Sequence, residues 1–344
     1  MNRPKINIVS NLPLTQKSHV GALNYTTQEW IRSLHEHVDF TVYNLGINID
    51  FEDFDPTLNY TNVNLYDDKT FPFTNYSELR HEYFSDKYKE LINNLTDLTI
   101  FVDWWCLKYV EPRDNFFLYS HYPEVFSYNN PEHSSIPQST LDMLFEMTKR
   151  HHAAVQSEQN RVDLLNQYPD KSVIVLPIIP EKIPEHIKQS PDAEGLLIIA
   201  DVVDDSPRKQ PETFLRAAEH LDVPAKILSA NKLWWIRKRH RMPYERKNLT
   251  DIVTLSGVEK YEYIAQAAAA FMPSTSESWG IGAYEAAMII PTFTLNHAWT
   301  NMHPNVYVVD SYEQIDLSLP VRKNEGYRQQ AIDDWLLTLK TINK

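Results

Sequence analysis

One cysteine, Cys106, stands among 344 residues, so neither a disulfide framework nor a cysteine-rich zinc site can be built. It reads as a small buried hydrophobe. No apolar run reaches the roughly 18 residues that a membrane-crossing helix requires. The first ten residues enter a strand pattern without an apolar leader segment, so no signal peptide is expected. A soluble protein of the cytoplasm is the expectation, the host cytoplasm if the chain is viral. Positive charge is in short supply: 33 Lys and Arg face 46 Asp and Glu, a formal net charge of -13. That balance disfavours indiscriminate binding to nucleic acid or acidic membranes. Glycine is also scarce, with seven positions: Gly21, Gly46, Gly195, Gly257, Gly280, Gly282 and Gly326. Their scarcity excludes the dinucleotide fingerprint Gly-x-Gly-x-x-Gly after the first strand, where Asn11, Leu12, Pro13 and Leu14 stand instead. The one Gly-x-Gly, at 280–282, has Glu285 where a third glycine belongs.

What is present is ample apolar material, 42% of the chain, enough for two ordinary cores at this length. Short apolar runs at 5–9, 40–43, 98–102, 116–119, 153–156 and 172–176 read as strands. Helical spacing recurs at 26–35, 83–95, 141–150 and 159–167, and residues 46–75, rich in Asp, Asn, Pro and Thr, read as a long loop. Pro177, Pro180, Pro184 and Pro191 then form a break of the kind that joins two domains. The alternation restarts beyond it. Strands are expected at 196–200, 225–229, 252–255, 270–273 and 292–295, with helices at 211–221, 261–270, 281–289 and 327–342. This implies an α/β protein of two Rossmann-like domains whose parallel sheets face a central cleft. The expected boundaries are 1–178 and 179–325, with 326–344 a C-terminal helix packing back on the first domain.

The densest chemistry lies in 271–288. A strand ends at Pro273, a polar loop holding two of the seven glycines follows, and a helix starts near Ile281. Glycine at a helix start lets backbone approach a ligand closely, and the free N–H groups there suit an anion such as a diphosphate. Glu277 in the loop and Glu285 in the helix can flank one ligand, each able to accept two sugar hydroxyls. The plainer alternative is a helix N-terminus with an acidic dipole partner.

Pro273-Ser274, Glu277, Trp279-Gly280 and a second glutamate eight positions on, Glu285, followed by Ala286, resemble the acidic signature of GT-B glycosyltransferases. The resemblance is to the retaining group that includes glycogen and sucrose-phosphate synthases. It implies that Glu277 holds sugar hydroxyls, that Glu285 holds the nucleotide ribose, and that the backbone of Trp279, Gly280 and Ile281 meets the phosphates. It further implies a UDP-sugar co-substrate, no cofactor and no metal. Residues 198–218 are similar to the start of that family's donor lobe, which makes Lys209, with Arg208 beside it, the phosphate-binding cation. The family's Gly-Arg pair is here Ala200-Asp201, so one cation is missing or replaced by Arg208. Gly257 falls in a turn near the donor base. In the first half Gly21 matches a loop after the first strand, with its glycine pair reduced to one. Residues 117–121 resemble the strand whose terminal histidine, His121, contacts the transferred sugar or a phosphate, and 156–161 resemble the strand, Ser-Glu and helix further on. Asp103, at the end of the neighbouring strand, would face sugar and acceptor. The plainer alternatives are a solvated helix start for Arg208 and Lys209, a buried histidine for His121, and a strand cap for Asp103.

A second feature runs against the acidic background. Lys232, Arg237, Lys238, Arg239, Arg241, Arg246 and Lys247 stand in 232–247 with Glu245 as the one acid, interleaved with Trp234, Trp235 and Tyr244. Cations among aromatics suit a phosphate backbone and stacked bases; a solvated helix face over two tryptophans is the alternative. With low glycine and abundant Asn, Asp and Tyr, the stretch suits a phage enzyme that glycosylates modified bases in DNA. Asp201, Asp204 and Asp205 lack the partners of an Asp-x-Asp metal site and read as a loop opening before Pro207. A non-catalytic binder of the same fold is the competing class.

Overall fold

A computed structural model describes residues 3–10, 22–44, 57–64, 86–102, 104–107, 110–120, 122–126, 138–200, 207–229, 235, 249–323 and 326–342. The chain divides into two compact units. One comprises residues 1–121, 138–179 and 329–344, and the other 122–137 and 180–328.

The first unit is built on seven parallel strands: β1 (Lys5–Ser10), β2 (Asp39–Asn44), β3 (Tyr60–Asn64), β4 (Leu98–Phe101), β5 (Phe116–Tyr119), β6 (His152–Val155) and β7 (Val173–Val175). Their spatial order is β3-β2-β1-β4-β5-β6-β7. Helices α1 (Ala22–Leu34), α2 (Asp86–Asn93), α3 (Gln138–Arg150) and α4 (Glu158–Gln167) supply the crossovers. The second unit repeats the plan with β8 (Leu196–Ile199), β9 (Ala225–Leu228), β10 (Leu249–Val253), β11 (Ala269–Met272), β12 (Thr292–Leu295) and β13 (Tyr307–Val309), ordered β10-β9-β8-β11-β12-β13. Its helices are α5 (Pro211–His220), α6 (Gly257–Ala265) and α7 (Ile281–Ala287). In each sheet the order reverses beside the first strand, between β1 and β4 and between β8 and β11. That switch point is where open α/β sheets leave a crevice at the carboxyl ends of their strands.

Most of these elements stand where apolar periodicity places them, within a few residues. Two strands do not. β3 lies inside the expected 46–75 loop and β13 inside a stretch with no expected element. Both are sheet edges paired on one side only, so they lack the continuous apolar run of a strand buried on both faces. The helix expected at 261–270 starts earlier, at Gly257, and ends at Ala265, where the chain turns into β11.

The final helix, α8 (Tyr327–Ile342), buries Ala331, Ile332, Trp335 and Leu339. Trp335 meets Trp30 of α1 edge-on at 5.2 Å and Phe40 of β2 at 6.4 Å. Trp30 in turn meets Tyr119 of β5 at 4.8 Å and donates its indole N–H to the Pro177 carbonyl at 3.0 Å. These rings are buried and tie α1, α8, β2 and β5 into one core. Trp335→Ala is therefore expected to cost about 3–5 kcal/mol. Urea unfolding checks it; a loss below about 1 kcal/mol would mean that α8 does not anchor this core.

Candidate active site

In the second unit the two strands flanking the switch point deliver opposite charges to the same place. β8 ends at Ile199, and the turn at Pro207–Lys209 brings Arg208 and Lys209 back ahead of α5. β11 ends at Met272, and the loop 273–280 carries Glu277 to the start of α7. The two loops are stitched by backbone, Thr275 N–H donating to the Arg208 carbonyl at 2.8 Å. The Lys209 ammonium donates to Glu277 Oε1, with the two side chains 17% and 13% exposed. Burial pushes the Glu277 carboxyl upward. The charges of Lys209 and Arg208 and hydrogen bonds from Lys209 and Ser274 outweigh it and hold the group below its ordinary value. Glu277 is thus an anion at neutral pH, with further acceptor capacity beyond its lysine.

The start of α7 is shaped by glycine. Gly280 caps it with φ +80°, and a Cβ there would lie 2.7 Å from Cζ3 of Trp299. Gly282 sits against the end of β8, where a Cβ would meet Ile199 Cγ2 at 3.1 Å. The N–H groups of Gly280, Ile281 and Gly282 find no backbone acceptor among the described residues, as the first turn of a helix dictates. The Trp279 ring is buried, so only its backbone is available to a ligand.

Four residues without a signal in the sequence fix this turn. Trp299 donates its indole N–H to the Ser274 carbonyl at 2.8 Å. His303 donates Nε2–H to the Trp279 carbonyl and stacks edge-on against the Trp279 ring at 4.7 Å. Tyr327 and Tyr284 also lie against the Trp279 ring, at 5.6 and 5.3 Å. No spacing rule joins 279 to 299 or 303, because the contacts cross from one strand-to-helix loop to the next.

Glu285 lies on the first turns of α7 and is 5% exposed. Its Oε1 accepts from Lys260 Nζ at 2.8 Å and from the Tyr261 hydroxyl at 3.4 Å. The same hydroxyl donates to Glu181 at 2.7 Å. Lys260 and Tyr261 lie one turn into α6, which starts at Gly257 with φ +56° and open space beside it. The structure therefore gathers Glu285 and the Gly257 turn through Lys260, and Glu277 with Lys209 and Arg208, around the carboxyl ends of one sheet.

Other candidates fall elsewhere. Gly21, Asp103 and His121 lie outside the described residues, as do Asp201, Asp204 and Asp205. In the first unit, Ser120 at the end of β5 accepts from Gln156 at 2.8 Å, and Gln156 accepts from Asn160 at 2.7 Å. Ser157 caps α4 by accepting from the Asn160 N–H. The 156–161 segment is thus a strand end locked to its neighbour. Of the basic stretch, Lys232, Arg237, Lys238, Arg239 and Arg241 also lie outside the described residues; Trp235 is buried and donates to the Ala200 carbonyl at 3.3 Å. Among the described residues no group of three or more His, Cys, Asp or Glu is placed to hold a metal ion, and no helix is long and apolar enough to cross a membrane.

Burial lowers the His303 pKa to about 4, against smaller upward pulls from the Trp279 carbonyl and Glu277. The folded state therefore disfavours protonation. Stability due to this group is complete above the unfolded value of 6.5 and is lost as pH falls from 6.5 to about 4. His303→Gln is expected to flatten that part of the melting-temperature profile relative to the parent. His151, also lowered to about 4 by burial, keeps the remainder. Superimposable profiles would remove His303 from the account of acid sensitivity. Gly280→Ala is expected to cost about 1–3 kcal/mol, because it forces a left-handed backbone and a clash with Trp299 together; thermal unfolding reads it, and a neutral result would mean that the turn can adopt another path.

No protein-family model and no curated sequence matches the chain. Solved structures do. Sucrose-phosphate synthase from Thermosynechococcus elongatus superimposes over 99% of this chain and 98% of its own, with a TM-score of 0.69 at 14% identity. Anabaena HepE, solved in complex with UDP and glucose, covers 99% of this chain and 97% of its own, with a TM-score of 0.60 at 12% identity. WaaG, a glycosyltransferase involved in lipopolysaccharide biosynthesis, covers 98% and 95%, with a TM-score of 0.57 at 14% identity. The chain thus shares with these proteins the GT-B fold of two parallel-sheet α/β domains.

Proposed function

We propose that the chain is a glycosyltransferase that moves a sugar from a nucleotide-sugar donor, a UDP-sugar, to an acceptor hydroxyl with retention of anomeric configuration. The observation that carries this reading is the Lys209–Glu277 pair at the carboxyl ends of β8 and β11, beside a glycine-shaped helix start. Glu277 accepts hydroxyls of the transferred sugar on the lone pairs that Lys209 leaves open. The N–H groups of Gly280 to Gly282, with Lys209 and Arg208, take the diphosphate. Glu285 takes the ribose, held in place by Lys260 and Tyr261. HepE, of the same fold, was solved with UDP and glucose.

In the reaction the bond between the anomeric carbon and the diphosphate oxygen breaks, and UDP leaves with the electron pair. The acceptor oxygen bonds to the same face of the anomeric carbon, and its proton passes to the departing phosphate oxygen. Fixed cations and backbone N–H groups stabilise charge where it grows, on the leaving diphosphate. His121 and Asp103 would serve sugar and acceptor from the first domain. The acceptor in this reading is a polyanion, a hydroxymethylated pyrimidine in phage DNA. Its support is the seven Lys and Arg against one Glu in 232–247 of an otherwise acidic chain. A glycan, lipid or small-molecule hydroxyl is the alternative acceptor, and a non-catalytic sugar-nucleotide binder the alternative of another class.

Glu277→Gln, which keeps shape and removes charge, is expected to cut sugar release from radiolabelled UDP-sugar at least about a hundredfold, the scale of losing a charged contact in the transition state. The variant leaves Lys209 without its anion, so its melting temperature is expected to fall, and turnover is compared at a temperature where circular dichroism shows both proteins folded. Parent-level turnover in the variant would refute the role of Glu277. The acceptor reading is checked by filter binding to duplex DNA at low salt. Arg237→Ala, Arg239→Ala and Arg241→Ala combined should abolish retention, and equal binding by parent and variant would remove DNA as acceptor.

A further inference from the structure

The first unit holds a polar cavity that the donor site does not use. Parallel sheets in this architecture are covered on both faces and read as apolar on both. One face of the β3-β2-β1-β4 half obeys: Ile6, Ile8, Phe40 and Val42 are buried, with Trp335 against Phe40. The other face departs from it in one row, although Val9 and Phe101 two positions along are buried. Side chains alternate along a strand, so the register places Thr61, Thr41, Asn7 and Thr99 in one row across four adjacent strands. The next position beyond Thr99 is Phe116 of β5, where the face turns apolar again. Thr61, Thr41 and Asn7 of this row line a cavity of about 550 Å³ at the amino-terminal ends of these strands.

Asn7 is the residue that asks for a ligand. It lines the cavity and is 5% exposed. Its amide donates to Thr99 Oγ1 at 3.3 Å, and Thr99 gives its own proton to the Asp97 carbonyl. Among the described residues the Asn7 side chain makes no other hydrogen bond, which leaves its carbonyl oxygen without a donor. That oxygen lies on the cavity wall with no protein donor of its own, so it is available to accept from a ligand hydroxyl. Thr41 and Thr61 add hydroxyls that both donate and accept. Burial and the Asp97 charge raise the Tyr43 pKa, so its phenol remains a donor.

Charge narrows the class. The lining holds Lys5 against Asp39 and Asp97, so nothing favours an anion. Asp39 is already engaged by Asn59 at 3.4 Å and Arg3 at 3.7 Å. Amides, hydroxyls and the rings of Tyr43 and Tyr60 around a cavity of ligand size fit a ligand that is neutral, rich in hydroxyls and apolar on its C–H faces. We propose that this cavity is a saccharide-binding site, separate from the donor residues, that takes a neutral sugar unit.

Saturation-transfer NMR on the full chain tests this with maltose, cellobiose and N,N′-diacetylchitobiose as probes and saturating UDP present throughout. The parent is expected to bind at least one of them. Thr41→Val with Thr61→Val, which keeps shape and removes two hydroxyls, should weaken that binding about tenfold. Thr41→Ser with Thr61→Ser should restore it, and Glu277→Gln should leave it unchanged. No transfer to any of the three probes in the parent would overturn the proposal. So would equal binding by parent and double-valine variant, which would place the sugar elsewhere. Neither result touches the donor reading, which rests on UDP and on the other unit.

Discussion

A lysine and a glutamate from two different crossover loops meet at the point where the second sheet reverses its strand order. Neither charge is stable there alone. Each is largely removed from water, and a half-buried ion left without its partner is strongly destabilising. The pair therefore fixes the relative position of the 207–209 turn and the 273–280 loop. Everything else in the site is arranged on that clamp: the Thr275 to Arg208 backbone bond, the Ser274 hydrogen bond to Glu277, and the entry into α7.

Around the clamp the structure uses bulk rather than charge. Trp279, Trp299, His303, Tyr284 and Tyr327 pack on one another, and two indole or imidazole N–H groups are spent on loop carbonyls. A neutral histidine is suited to this, since it donates one hydrogen bond without adding a further cation to Lys209 and Arg208 around Glu277. Rigid aromatics hold the backbone of 279–282 with little side-chain entropy left to lose on binding, which is the condition for preorganised donors. Gly280 is the position that this packing leaves no room to replace, while Gly282 is held close to Ile199 of β8. The second cluster, Glu285 with Lys260, Tyr261 and Glu181, repeats the logic one helix away: a buried carboxylate is held by a cation and a phenol that a ligand can share.

Strand and helix alternation, the break after 176 and the acidic loop were all legible in the sequence, because each rests on periodicity or local turn chemistry. The shared placement of Glu277 and Glu285 was legible, because both stand on one strand-loop-helix unit, whereas the pairing of Lys209 with Glu277 joins two such units and has no fixed spacing. His303 and Trp299 were not, because their contacts with 274–279 bridge successive crossovers and leave no fixed interval. β3 and β13 were missed for a related reason, as edge strands carry half the apolar signal of central ones. The polar row Asn7, Thr41, Thr61 and Thr99 is visible only once register is known: each residue alone is an ordinary strand position, and the anomaly exists in the sheet.

The most direct measurement is a crystal structure of the full chain soaked with UDP. The diphosphate is expected on the N–H groups of 280–282 with Lys209 Nζ turned toward it and the ribose hydroxyls on Glu285. UDP bound away from the carboxyl ends of β8 and β11, with the Lys209–Glu277 pair and the Glu285–Lys260 pair untouched, would contradict the assignment of this loop as the donor site.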